Sequence, residues 1–204
     1  MASMVYFTSR VNAFVRAFIV SDALLYSALN VVNILFAVYV TSKVPGGNVT
    51  VATTALIAGF VVRIIAELGF GRTSSSLSER GKIFVITAGM ACMSLGYIGM
   101  PLVHNLIGLS AMWALNGLGW AIAYPAKLAL VAKYIKPDQA SQEWGATDAL
   151  NMSLIVVTMA LGTYIVTHFS YGLMFTLAAI LNALGIMPYV AYLRGLKRLA
   201  RDDS

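Results

Sequence analysis

The sequence predicts an all-α integral membrane protein of six transmembrane helices, arranged as two inverted three-helix repeats. Three observations lead there. Charged residues make up 11% of the chain and hydrophobic ones 59%, where a soluble domain carries about 25% charged residues; the mean hydropathy is +0.80. Six apolar stretches are each long enough to cross the hydrocarbon core as a helix. The basic residues fall almost entirely on alternate connections.

Residues 1–16, with Arg10 and Arg16, read as a short cytoplasmic arm rather than a cleavable leader, because the apolar run behind them is long enough to span. The spans are expected near 17–40, 51–70, 83–103, 106–132, 147–167 and 172–193, and residues 194–204 form a cytoplasmic tail. The connections are short. "KVPGGN" and "HFSYG" are turn-like. "GRTSSSLSERGK" and "KYIKPDQASQEW" are polar and mixed in charge.

Orientation follows from the Lys/Arg count. The arm, the second and fourth connections and the tail hold eleven basic residues, whereas the other side holds Lys43 alone. Both termini are therefore expected in the cytoplasm, in a plasma or inner membrane. The net charge of +6 is scattered through these segments without an aromatic platform, so it reads as a topology signal and not as a nucleic-acid surface. Cys92 stands alone in an apolar run and reads as a small buried hydrophobe.

The chain divides into a repeat at about 17–103 and a second at about 104–193, together one six-span domain. "ALN" recurs at 28–30 and 114–116, and "GKIF" at 81–84 is echoed by "GLMF" at 172–175. Three spans are an odd number, so the second unit is inverted. Inverted repeats are common in secondary transporters, with the site near the midplane.

Two polar stripes stand out. In span 1, Asp22, Tyr26, Asn30 and Asn33 are spaced by four, four and three residues; in span 4, Trp113, Asn116, Trp120, Tyr124 and Lys127 keep helical spacing too. An unpartnered amide in hydrocarbon costs several kcal/mol. Both stripes are therefore expected to line a central wet cavity; the alternative is interhelical hydrogen bonding with aromatic packing. Pro125 fits a bend near the cytoplasmic end of span 4.

Charged residues gather at the cytoplasmic ends of spans: Asp22, Arg63, Glu67, Lys127 and Asp148. They are expected to form an ion-pair network that closes the cytoplasmic mouth, or to place Asp22 or Glu67 as a proton acceptor during coupling. The simpler readings are an intrahelical Arg63–Glu67 pair and snorkelling, which suits Lys127 best. Glycines 59, 89, 96, 99, 117, 119 and 162 are expected to let helices approach closely or bend.

An enzyme is not indicated. His104 and His168 lie in separate outer loops, with no partner at metal-ligand spacing. No Gly-rich phosphate loop precedes a Lys-Ser/Thr pair, and no Ser/His/Asp set reaches one depth. No cofactor is implied.

The run "NGLGWAIAYPAKLALVAKYIKPDQASQEWGATDAL" has a glycine-rich middle, a small-residue-Pro-Ala step, a cytoplasmic loop and a following helix. It resembles the fourth and fifth helices of the major facilitator superfamily, and the likeness covers about residues 17–193. "SSSLSERGK" keeps Glu79, Arg80, Gly81 and Lys82 of that family's loop signature, with Ser75 where the leading Gly belongs. Through it, Glu79 and Arg80 are expected to latch the cytoplasmic side. Trp113 stands where the family has an Arg, and the antiporter Gly-Pro step of helix five is missing, so proton-coupled export is not implied.

A full member has two six-helix halves. The resemblance implies a half-size transporter subunit in the lipid bilayer, moving a small organic solute by alternating access. A parallel homodimer, or a different six-span chain, would supply the second half. Tyr26, Asn30, Asn33, Trp113, Asn116, Trp120 and Tyr124 are the expected cavity residues. Asp22, Arg63, Glu67, Glu79, Arg80, Lys127 and Asp148 are the expected gate or coupling residues. The alternative is a non-transporting scaffold or accessory subunit that keeps the half-fold.

Overall fold

The structure is a computed structural model that describes residues 13–202 except 136, 138 and 139, and no side chain at 13 or 195–202. The arm through residue 12, with Arg10, and Lys136 of the fourth connection lie outside the described residues.

Among the described residues the chain is helical, without a strand. The helices are α1 (Ala13–Lys43), α2 (Val49–Ser74), α3 (Glu79–Gly99), α4 (Leu106–Tyr134), α5 (Ala140–His168), α6 (Tyr171–Leu184) and α7 (Met187–Asp202). Six segments are long and apolar enough to cross a membrane. The last combines α6 with the start of α7 and ends at Arg194. Side-chain caps start four helices: Asn48, Ser78, Asn105 and Ser170 each accept a hydrogen bond from a backbone N–H three residues on.

Most helices extend two to four residues beyond the expected spans, and two differences are larger. Helix α5 begins at Ala140, seven residues before the expected 147, because the polar Gln-Glu-Trp-Gly-Ala-Thr-Asp run continues the helix beyond the apolar core. Span 6 is interrupted between α6 and α7. The Gly185 N–H bonds back to Leu181 O and Asn182 O, and Pro188 opens the next helix without a donor of its own. Helix α4 runs through Pro125 unbroken.

The packing repeats itself. Helix α4 lies against α2 and α3, and α1 lies against α5 and α6. Exchanging α1, α2 and α3 with α4, α5 and α6 maps each of these pairs onto another. Helices α3 and α6 pack on each other behind the α1–α4 seam. The outlying helices are α2 and α5, with 17% of their apolar windows buried against 50% in α1 and α3. Their outer faces carry Ile57, Ile64, Leu68, Val156 and Leu161, apolar side chains suited to lipid.

Glycine sets the closest crossings. A methyl group added at Gly59 would fall 2.7 Å from the Trp113 carbonyl oxygen, and one at Gly117 would overlap the Gly59 carbonyl. Gly89 and Gly119 hold α3 against α4 in the same way, each added methyl falling 2.5 Å from the other residue's carbonyl oxygen. Two apolar clusters fill the bundle. One lies around Phe36, Tyr39, Tyr97, Trp113 and Phe175. The other lies around Phe14, Phe18, Met90, Trp120 and Tyr189, toward the end that carries the basic connections.

Candidate functional site

The two predicted stripes meet. Helices α1 and α4 run antiparallel, so Asp22 faces Lys127, Tyr26 faces Trp120, and Phe36 faces Trp113. The Lys127 Nζ donates to Asp22 Oδ1 at 2.9 Å, and the two side chains are 1% and 7% exposed. Asn151 of α5 donates to the other carboxylate oxygen at 3.4 Å. The Lys127 ammonium also lies 5.4 Å from the centre of the Phe18 ring, and fully buried Tyr189 stands beside the pair. Snorkelling is thus not what Lys127 does. The facing carboxylate holds its ammonium inside the bundle.

In the middle of the seam, Tyr26 meets Trp120 edge-on at 5.7 Å, and Trp120 meets Tyr124 at 5.5 Å. Arg63 of α2 covers this aromatic group, its guanidinium 4.6 Å from the Trp120 ring centre and 5.6 Å from that of Tyr124. One turn along α2, Glu67 accepts from Arg63 Nε at 3.3 Å. Asn30 turns back onto its own helix and donates to Tyr26 O at 2.8 Å.

The expectation of one open cavity lined by both stripes is corrected in part. Trp113, Asn116 and Trp120 are only 3%, 2% and 3% exposed, because the glycine crossings pull α2 and α3 onto α4. A narrow cleft of about 40 Å³ reaches them, bounded by Asn33, Gly59 and Arg63. Four buried polar atoms of its lining have no hydrogen-bond partner among the described residues: Asn33 Oδ1, Asn116 Nδ2 and the indole nitrogens of Trp113 and Trp120. The Asn116 side chain also lies beside the buried Tyr97 hydroxyl.

A second, wider cavity lies on the other flank of the seam, between α1, α4 and α5. Its volume is about 250 Å³. Asp22, Tyr26, Tyr124 and Asp148, all singled out from the sequence, line it together with Thr147, Asn151 and Trp144 of α5. By hydropathy residues 140–146 read as a loop, which hides the stripe Trp144, Asp148 and Asn151. Its spacings of four and three carry the same signal as the other two stripes.

The expected single gate network resolves into separate groups. Arg63 and Glu67 pair within α2, away from Asp22 and Lys127. Glu79 belongs to a third group at the basic end. Its carboxylate accepts from Tyr134 Oη at 2.5 Å, from Tyr192 Oη at 3.0 Å and from Lys133 Nζ at 3.4 Å. It thereby ties α3 to α4 and α7. Arg80 is exposed and makes none of these contacts. Asn182, buried between α3 and α6, donates to Met90 O and Ser94 Oγ; a lone amide in span 6 gave no periodic signal.

A profile of the Major Facilitator Superfamily matches residues 6–203. The chain is similar to the multidrug resistance protein MdtH of Blochmanniella floridana, with 25% identity over 74% of this chain and 42% of that protein. It is similar also to the MdtH of Blochmanniella pennsylvanica, with 22% identity over 73% of this chain and 40% of that protein. The chain thus spans about two fifths of the length of these curated relatives.

Proposed function

Because this chain belongs to the Major Facilitator Superfamily, we propose that it is one six-helix unit of a secondary transporter that moves a small organic solute by alternating access. The observation that carries the proposal is the polar flank of the α1–α4 seam. Tyr26, Asn30, Asn33, Arg63, Glu67 and Tyr124 are all half-buried there, whereas the outer faces of α2 and α5 expose Ile57, Ile64, Leu68, Val156 and Leu161. Such polar groups are costly against lipid and are stable against water or another protein surface.

A second six-helix unit laid over this seam would enclose both clefts. A second copy in the same orientation, both ends of each chain in the cytoplasm, is the simplest source, and a parallel homodimer is the assembly proposed. The solute would meet the aromatic group and Asn33, Trp113 and Asn116 on one flank, and Asp22 and Asp148 on the other. The description of the relatives as multidrug resistance proteins fits a wall of rings that tolerates varied apolar shapes.

Crosslinking tests the assembly. In a Cys92→Ala background, Asn33→Cys should form a symmetric disulfide dimer in native membranes, whereas Ile64→Cys, on the lipid face, should not. Solute flux in proteoliposomes tests the activity. Flux that survives a combined Asn33→Leu and Asn116→Leu change would remove these residues from the path. A stable dimer without flux for any solute would favour the accessory-subunit alternative.

A further inference from the structure

We infer that the pocket between the end of α1, the α3–α4 connection and the start of α6 is a binding site for a phosphate anion, either a free phosphomonoester or the phosphate of a lipid headgroup. The site lies at the end of the bundle opposite the basic connections. It is separate from both flanks of the α1–α4 seam and does not rest on the transporter reading.

The first observation is the place. The pocket has a volume of about 360 Å³, inside the usual range for small-molecule sites, about 300–1,000 Å³. Lys43 brings the last turn of α1 to it, His104 the α3–α4 connection, and Ser170 and Gly172 the start of α6. No residue of the two seam stripes lines it.

The second observation is the charge. None of the eight Asp and Glu residues of the chain lies in segments 30–60, 90–115 or 155–185, which build this end of the bundle. Lys43 and His104 have no ion pair or hydrogen bond among the described residues. The carbonyl end of α1 offsets at most about half a unit of the Lys43 charge. Positive charge is left over, and no carboxylate lines the pocket to answer it.

The third observation is the donor set. Lys43 and His104 supply N–H donors. Ser170 Oγ accepts from the Leu173 N–H at 3.1 Å, which leaves its hydroxyl hydrogen free to turn into the pocket. Ser170 also caps α6, so the N–H groups of Tyr171 and Gly172 in the first turn have no partner within the helix. A methyl added at Gly172 would meet nothing closer than 3.8 Å, so the backbone there is open to a ligand. Donors from three segments and no acid suit a phosphate, which accepts through several oxygens at once. Beside them lies an apolar wall. The Tyr39 and Tyr171 rings meet at 5.4 Å, and Phe169 is 66% exposed. An organic group carried by the phosphate would rest on these rings, and such rings also favour the headgroup level of a bilayer.

The test uses the full chain labelled with carbon-13 histidine. The chain has two histidines, so His168→Gln assigns the His104 ring signal in the magnetic resonance spectrum. His168 does not line the pocket and serves as internal control. In uncharged detergent at fixed pH and ionic strength, phenyl phosphate should move the His104 signal saturably and leave His168 in place. It should bind about tenfold or more tighter than the neutral phenyl glucoside. Lys43→Gln should weaken it by a similar factor, about tenfold. Lys43→Arg should keep the binding, and Arg72→Gln, at the other end of the bundle, should not change it. Nanodiscs then assign the source. If phosphatidylglycerol added to phosphatidylcholine discs moves the His104 signal and blocks phenyl phosphate, the occupant is a lipid headgroup. If phenyl phosphate binds alike in both discs, the occupant is a soluble phosphate. Either result supports the site. A His104 signal that neither phosphate moves would overturn it, as would equal affinity for the glucoside or an unchanged Kd in Lys43→Gln. Solute flux is a separate measurement, so its failure leaves this site standing, and failure here leaves transport standing.

Discussion

Cutting the ion pair at the inner end of the seam tests how dry that region is. At 2.9 Å and an effective dielectric constant of about 20, two unit charges attract by roughly 6 kcal/mol. Taking both out of water costs several kcal/mol per ion, so the net worth of the pair is near zero. Removing one partner is different. Lys127→Met leaves the Asp22 carboxylate buried with the long Asn151 contact alone, and should lower unfolding stability by about 3–5 kcal/mol. Asp22→Leu strands the ammonium and should cost a similar amount. The double variant Asp22→Leu/Lys127→Met leaves only the Asn151 amide without its acceptor, and should fall within about 1–2 kcal/mol of the parent. Equilibrium unfolding in mixed detergent, run as a double-mutant cycle, reads all three. If Lys127→Met alone costs under about 1 kcal/mol, water reaches the pair and the argument from burial is wrong.

Other changes follow from the same geometry. Gly117→Ala should destabilise by about 1–3 kcal/mol, because the new methyl meets the Gly59 carbonyl; Gly69→Ala, with nothing within 4 Å of the added methyl, should stabilise by up to about 1 kcal/mol. The pair of melting curves separates backbone crossing from helix propensity. Asn182→Leu removes hydrogen bonds of 2.7 and 2.8 Å between α6 and α3 and should cost about 0.5–1.5 kcal/mol in the same unfolding assay. Glu67→Gln, at a half-exposed pair within one helix, should change stability by less than about 1 kcal/mol; a larger loss would mean that Arg63 depends on Glu67 to hold its place over Trp120.

Periodicity made the helices and two of the three stripes legible. Asp22, Tyr26 and Asn33 recur at helical spacing, and so do Trp113, Asn116, Trp120 and Tyr124, so spacing alone defines both faces. Depth was not legible. Whether Asn116 faces a cavity or a neighbouring helix depends on how closely α2 and α3 approach α4, and that distance is fixed by Gly59 and Gly89 on other helices. Lys127 illustrates the same limit. Its position near the end of a span suits snorkelling, and only the facing Asp22 keeps it buried. Hydropathy ends before helix α5 does, so the sequence places Trp144 in a loop although it lies in the helix.

The two flanks of the seam are chemically opposite, and that asymmetry constrains what a second unit must do. On the α2 flank, the unpartnered groups are mainly donors: two indole N–H groups and the Asn116 amide, against one Asn33 carbonyl. On the α5 flank, they are acceptors: Asn151 Oδ1 and the Asp148 carboxylate. The aromatic group of Tyr26, Trp120 and Tyr124 stands between them. In a parallel twofold dimer the axis runs along the membrane normal. A twofold rotation sets the α2 flank of one copy opposite either its own kind or the α5 flank of the other. Like against like would leave two donor-rich walls facing each other and two carboxylate walls facing each other, which repel. Setting the α2 flank of one copy against the α5 flank of the other instead brings the half-buried Arg63 toward the exposed Asp148 carboxylate. For the homodimer proposed above, the charge distribution predicts that α2 of each copy meets α5 of its partner. An Arg63→Glu/Asp148→Arg exchange should restore a crosslink that either change alone weakens; two single variants that dimerise like the parent would refute that arrangement.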